Sequence, residues 1–499
     1  MAEYTTPPTD ASTEGQAKTP LTDTKRTFPY AESKKRLQDY DYYERLFLGN
    51  HFEAFRIRVE DPSFNKAYQK LRYITINFAG MVSKICADML FSEPLLIKMG
   101  EDGDQDFIDA LIFENKLNQQ FYEAGLSNSY FGDQVFKLRF DKKQRNQCII
   151  EDNTPKVYFP VLNSQNFRAE PKEQELAWII TVKGQKYLQK EVHEVGKIRN
   201  ELYKFQSDEK TIGDKVDITT ILGVEAEEET KIDRSLIIHT PNWRSSGMFF
   251  GISDYNDLDS IFFAINNRFT KNDNVLDTHS DPILAVPPGI LDENGKVRRE
   301  ALSMIEVSTE AGEGKPEYIV WNASLEAAFQ QIDKLVDMFY MTSEISPAAF
   351  GMDKGGSVES GRALKLKLLR TIAKVSRKKL YFNQSIIETI YTAQLLAKEW
   401  GLEVDGVKLT KEPKKPELTW ADGLPIDNSE AIENETALKD GELTTTKDSL
   451  MRLYNLTDKQ AEEKAKEIKD QNAIDLPKMN TGGDPFNPKN PNPKVPPKK

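Results

Sequence analysis

SDYNDLDSIFFAINNRFTKNDNVLD, residues 253–277, decides the fold. Its apolar residues fall at Tyr255, Leu258, Ile261, Phe262, Ile265 and Phe269, the spacing of one helical face, and Ser253 stands where an N-cap belongs. A helix of this length spans roughly 37 Å at 1.5 Å per residue. A second rod is predicted from Ser324, in SLEAAFQQIDKLVDMFYMTSEI. Its stripe is Leu325, Phe329, Ile332, Val336 and Phe339, and Glu326 lies in the positive first turn. Between them DPILAVPPGILDENGK and YIVWN carry turn and strand signals. Two long helices therefore bracket a small β module.

Upstream, helical spacing is read at 33–48, at 73–91 with Pro94 marking the stop, and near 104–130. Strand signals follow in QVFKLRF, QCIIED, KVYFPV, AWIITVK, KYLQKEVHEV and LYKFQ, which makes an α+β body rather than a β-α-β alternation. Residues 206–233, with GVEAEEETKID, read as a solvated acidic loop. Downstream, a long helix runs to Trp400. GLEVDGVKLT and PELTW are short strands, and helices are expected at 428–440, 446–454 and 457–472. Residues 1–27 and 473–499 lack the apolar content to offset their ordering entropy and are expected to be disordered.

Composition narrows the function. The 499 residues hold 67 Lys and Arg against 79 Asp and Glu, a formal charge of −12, so a monomer that coats nucleic acid is excluded and any DNA contact is local. Cys86 and Cys148 form no C-x-x-C motif, so the expectation is inert thiols in a reducing compartment and no structural metal. The start has no basic region followed by an apolar core, and no apolar run approaches the ~20 residues that span a bilayer, so the chain is expected to be soluble and intracellular, with no membrane partner.

Against that acidity, SVESGRALKLKLLRTIAKVSRKKL (357–380) carries eight Lys or Arg and one acid, Glu359. On a helical projection Leu364, Leu368, Ile372 and Val375 share one face, and Lys367, Arg370, Lys374, Arg377 and Lys378 share roughly the opposite one. This basic face either meets acidic neighbours in the same fold or an adjacent subunit, or it faces phosphate. The preceding GMDKGGSVESG has four glycines around Lys354, the composition of a hinge or probe. It is not a P-loop, because neither the G-x-x-x-x-G-K-[ST] order nor a leading strand is present; GEGKPE fails likewise. No catalytic signature emerges: His51, His193, His239 and His279 are scattered, HEVGK lacks a second histidine, and no G-x-S-x-G elbow occurs. Trp243 and Trp321 are read as packing residues. The enzymatic alternative is a metal-dependent nuclease built on scattered carboxylates and the 362–379 basic helix.

The order of elements resembles the portal proteins of tailed bacteriophages. YYERLFLGNH (42–51), NFAGMVSKICADMLFSEP (77–94), the Asn-containing and G-x-S-D-bearing HTPNWRSSGMFFGISDYNDLDSIFFAINNRFTKNDNVLD (239–277), SGRALKLKLL (360–369) and LTWADGLPIDNSEAIENETALKDGELTTTKDSL (418–450) carry the likeness; Ser92 and Glu93 stand where Gly is common. The resemblance implies an α+β portal fold in a ring, a dodecamer or, in isolation, a 13-mer. It implies a wing at 28–252, stem helices at 253–277 and 324–345, a β-rich clip at 278–323, a tunnel loop at 346–361, a long wing or crown-base helix at 362–400 and a helical crown at 401–472. It further implies a non-enzymatic vertex protein of the virion, assembled in the host cytoplasm, with no cofactor and double-stranded DNA in its bore. Lys354, Gly355, Gly356 and Ser357 would touch that DNA. Large terminase, then a head-completion or tail adaptor, would dock at the clip, and the major capsid and scaffolding proteins would surround the ring. Twelve copies at −12 sum to a formal −144, which would let DNA slide rather than stick.

Overall fold

The computed structural model describes residues 27–59, 72–141, 147–163, 166, 168–208, 210–280, 283–285, 317–319, 326–352, 361–421, 428–454, 456 and 458–475. Contacts divide the chain into two units, Met1–Leu424 and Pro425–Lys499.

In the first unit, helices α1 (Lys34–Phe47), α2 (His51–Val59), α3 (Phe78–Phe91), α4 (Gln105–Glu114) and α5 (Leu117–Phe131) come first, with strand β1 (Leu96–Lys98) after α3. The expected helix at 73–91 begins only at Phe78, because the backbone before it is held extended. Ile74 N donates to Thr270 Oγ1 at 3.0 Å and Ile76 N to Asn266 Oδ1 at 2.9 Å, and Asn77 then caps α3 by accepting from Gly80 N. Local apolar spacing lost to side chains almost two hundred residues away.

Strands β2 (Asp133–Asp141), β3 (Gln147–Asn153), β4 (Tyr158–Val161), β5 (Glu173–Val182), β6 (Gln185–Glu194) and β7 (Lys197–Phe205) match the strand signals. Lys183 and Gly184, both at positive φ, make the tight turn between β5 and β6. The acidic stretch 206–233 departs from its expected loop: β8 (Ile212–Val216), helix α6 (Ile218–Leu222) and β9 (Glu227–Glu229) form there, β8 and β9 both pairing with β7. Ile212, Ile218 and Ile232 are buried, so three apolar anchors outweigh the charge run between them. A six-stranded antiparallel sheet results, with β4, β5, β6, β7 and β8 in that order and β9 beside β7; β10 (Ile237–Pro241), β2 and β3 form a second sheet.

The first long helix, α7 (Asp259–Ser280), starts six residues later than its apolar stripe suggested. Residues 253–258 form tight turns instead, with Asn256 N bonded to Ser253 O and Leu258 N to Tyr255 O, so Ser253 caps a turn rather than the helix. Tyr255, Leu258, Phe262 and Ile265 are nonetheless buried. Beyond α7, β11 (Ile283–Ala285) pairs antiparallel with β12 (Glu317–Ile319), which brings the chain back to α8 (Glu326–Ser343). Ser324 and Leu325, the expected start of this rod, lie outside the described residues, as do most of 278–323 and Trp321. One core joins α1, α2, α3, α7 and α8 through Leu46, Phe55, Val82, Phe262 and Phe339.

Helices α9 (Gly361–Lys367) and α10 (Leu369–Trp400) replace the single expected helix, with Leu368 at the joint. The i to i−4 bonds of Leu368 and Ile372 continue through it. Phe382, Ile386, Ile390, Ala393 and Leu396 bury one face of α10 in the second core with α3, α4, α5, β2 and β3. The hairpin of β13 (Glu403–Val404) and β14 (Val407–Lys408) follows, then β15 (Glu417–Thr419), which pairs with β1. The second unit holds α11 (Asn428–Asp440), α12 (Thr446–Tyr454) and α13 (Asp458–Asp475) at the expected positions. Arg452 of α12 is hydrogen-bonded to both carboxylate oxygens of Glu435 on α11. Among the described residues no helix is long and apolar enough to cross a membrane.

Candidate functional site

The segment 239–254 enters α7 by threading between β2 and α5. Gly251 lies so close to Gly132 that any Cβ on it would strike the Gly132 carbonyl oxygen, and one on Gly132, whose φ is +90°, would come within 2.6 Å of Ser253 N. Asn242 N donates to Gly132 O at 2.7 Å, Asn242 Nδ2 to Ile252 O at 3.0 Å, Gly251 N to Asp133 Oδ1 at 2.7 Å and Ser253 Oγ to Tyr130 O at 2.7 Å. Each residue of the Asn-then-G-x-S-D pattern thus has a mechanical task, and the last, Asp254, is the electrostatic one.

Asp254, in the turns before α7, ties α10 to α5 and to the segment at Asn242. Its Oδ2 takes Lys378 Nζ at 2.7 Å and Ser129 Oγ at 2.7 Å, and its Oδ1 takes Lys374 Nζ at 3.1 Å and Asn242 Nδ2 at 3.2 Å. Lys378 also donates to Asn242 Oδ1, and Lys374 to Ser343 O at 2.9 Å, the last turn of α8. Burial alone would raise the Asp254 pKa. The two ammonium groups outweigh it and hold this carboxyl well below the usual range. Burial likewise opposes charge on Lys374, but Asp254 prevails and raises its pKa. One level out, Arg370 and Arg377 both bond Glu344, which follows α8 with φ at +59°.

Of the five basic positions read as one face, Lys374 and Lys378 are therefore buried structural cations rather than phosphate-facing ones. Arg370 and Arg377 are exposed and bound to an acid of the same chain, and Lys367 is exposed on α9. The helical projection placed the lysines opposite the core stripe, but Asp254, Asn242 and the last residue of α8, Ser343, cover that side too. Lys354, Gly355, Gly356 and Ser357 lie outside the described residues. Sequence reasoning missed Asp254 and Asn242 as partners of the basic stripe, although the N…G-x-S-D spacing was visible. Trp243, read as a packing residue, is 41% exposed and lines, with Asp254, a cavity of about 510 Å³.

His51 shows the same logic. Asn266 Nδ2 of α7 donates to its Nδ1 at 2.6 Å, leaving Nε2–H for Leu46 O at 3.0 Å, so the ring is neutral. Burial lowers its pKa, the hydrogen bonds opposing. His239 is stacked on Phe249 and Tyr158 and bonded to Asp133. Both are structural. No group of three or more His, Cys, Asp and Glu that could hold a metal occurs among the described residues.

Residues 29–475 match the family described as phage portal protein, SPP1 Gp6-like. The chain belongs to that family. Portal proteins of this kind are structural and non-enzymatic, the role is that of a portal vertex protein, and nothing supports the nuclease alternative. Among solved structures the chain is similar to one from the virion of a native gene transfer agent (GTA) particle, at 11% identity over 83% of this chain and 93% of that one, with a TM-score of 0.41. It is also similar to one from the neck of a native GTA particle computed with C12 symmetry, at 11% identity over 75% and 89%, with a TM-score of 0.40. No curated protein matches it in sequence.

Proposed function

We propose that copies of this portal-family chain close into a ring, a dodecamer or a 13-mer in isolation, whose axial channel passes double-stranded DNA inward during packaging and outward during ejection. The carrying observation is a set of helical apolar faces that one chain leaves bare. On α8, Ile332 and Phe339 are buried while Phe329, Met338 and Met341 are exposed, Met341 at 77%. Along α9 and α10, Leu366, Leu369 and Leu380 repeat outward at helical spacing, Leu380 at 73%. Uncovered stripes of this kind on successive rods suit lateral neighbours, and a heterologous contact that closes makes a ring.

In this reading residues 28–252 form the wing, 253–277 and 324–345 the stem, 278–323 the clip, 346–361 the tunnel loop, 362–400 a long wing or crown-base helix and 401–472 the crown. Large terminase docks at the clip and an adaptor replaces it, inside a shell of major capsid and scaffolding proteins. Assembly takes place in the host cytoplasm and the product resides at the virion vertex. Lys354 with Gly355, Gly356 and Ser357 touches passing phosphates transiently, and the net acidity of the ring keeps DNA mobile.

Mass photometry with class-averaged electron images tests the ring. Twelve copies of 56.9 kDa give about 683 kDa with a central hole; a solid monomer or dimer overturns the reading. The loop is tested by Lys354→Ala combined with a stiffened Gly355–Gly356, for which packaging rate and DNA retention should change.

A further inference from the structure

Arg244 and Arg168 line one cavity of about 560 Å³ that runs beside α10. Half-buried Arg244 uses a single side-chain bond among the described residues, from Nη1 to Phe249 O at 3.1 Å. Exposed Arg168 has no side-chain partner among them. Neither forms an ion pair with a carboxylate among the described residues. Among the other partly buried arginines of the described residues, Arg199 meets Glu194 and Arg234 meets Glu388, while buried Arg36 donates to two carbonyls and lies over Phe250; exposed Arg45, Arg72 and Arg268, like Arg168, pair with no acid there. Burial lowers the Arg244 pKa; Tyr381 and, more weakly, the Asp133 carboxylate oppose that, and Arg168 adds to it. Two guanidinium groups near enough to repel, with most of their N–H donors unspent, make an anion site.

The walls of the groove select the anion. Asp233 and Glu388 are engaged by Arg234, Glu388 also by Lys415, and Glu170 stands on the same wall. A phosphate backbone running along the groove would meet these acids in succession, whereas one side-chain carboxylate entering between the arginines would not. A chain with 79 acidic residues supplies such carboxylates in any neighbouring copy.

We infer that the Arg168–Arg244 groove receives an Asp or Glu side chain from the adjacent copy in the ring, an inference that rests on the ring reading above. The fork of each guanidinium takes the carboxylate edge-on, which fixes the angle between neighbours as well as holding them.

The test uses the full chain carrying Arg168→Glu with Arg244→Glu, alongside the Lys pair and the Gln pair at the same positions. Ring mass is read by mass photometry from low to high salt, duplex DNA binding by filter retention, and folding by circular dichroism. The Glu pair should lower the ring fraction by roughly tenfold or more, the Lys pair should make rings that dissociate at lower salt, and all should melt like the wild type. Should the Glu pair misfold, the Gln pair carries the same expectation of lost rings. Rings of wild-type mass and salt tolerance in the Glu or Gln pair overturn the inference. So do intact rings with weakened duplex binding, which would assign the groove to phosphate. A wild-type chain that forms no ring overturns the ring reading itself, a result distinct from both.

Discussion

Gly251 and Gly132 touch backbone to backbone, and this contact sets where the chain turns into its first long helix. A Cβ at Gly251 would meet the Gly132 carbonyl and, at 2.7 Å, Asn242 N, neither of which is a flexible side-chain end. Gly251→Ala should therefore destabilise by about 3 kcal/mol, the upper end of a core overpacking defect. Gly247→Ala, four residues earlier with nothing within 4 Å of its Cβ, should change little. Chemical denaturation of the pair checks this, and equal midpoints would refute it.

Asp254→Asn should cost roughly 3–5 kcal/mol, because it leaves two buried lysines with no counter-charge. Lys378→Met leaves Lys374 and Asp254 as a one-to-one pair and should cost less. The order of the two denaturation midpoints is the measurement; Lys378→Met falling below Asp254→Asn would show that packing, not charge, governs the site.

Asp152 supplies a pH dependence of opposite sign to that of most carboxylates. Burial pushes its pKa up to about 6, only partly offset by the bond from Gln134. Its folded value lies above its unfolded one. The unfolded chain therefore gives up the proton first as pH rises, and stability is lost between about pH 4 and 6. Asp152→Asn keeps the acceptor oxygen and removes the charge. It should raise stability by about 1–3 kcal/mol above pH 6, from 1.36 kcal/mol per pKa unit, and change nothing near pH 4. A difference that persists at the acid end would contradict the assignment.

Met341→Lys and Leu380→Lys place charge on faces that the single chain leaves open. Thermal melting of the monomeric fraction should be unchanged, since neither side chain is buried within the chain. The ring fraction in mass photometry should fall. A drop in monomer melting instead would mean that these residues pack within the chain.

The two rods were legible, apart from the start of the first, because their apolar residues recur at helical spacing over five turns or more, and the sheets because their strands alternate between clear turn signals; of the insert between the rods the structure describes only the β11–β12 pair. Three features were not. Residues 72–77 carry apolar spacing, but Thr270 and Asn266 capture their backbone N–H groups; the acidic run at 206–233 hides Ile212, Ile218 and Ile232, whose burial depends on a sheet assembled elsewhere. The basic stripe at 367–378 was visible as charge. Its partner Asp254 sits more than a hundred residues away, and pairing across that separation is a property of the packed fold.

Glu344 holds a left-handed backbone that L residues adopt at a cost of about 1–2 kcal/mol, and Arg370 and Arg377 clasp its carboxylate there while Lys374 caps the preceding turn. Glycine would make the same corner and leave it free to swivel. With a clasped glutamate the corner behaves as a fixed elbow, so whatever torque reaches the end of one rod is handed to the next instead of being dissipated in the bend.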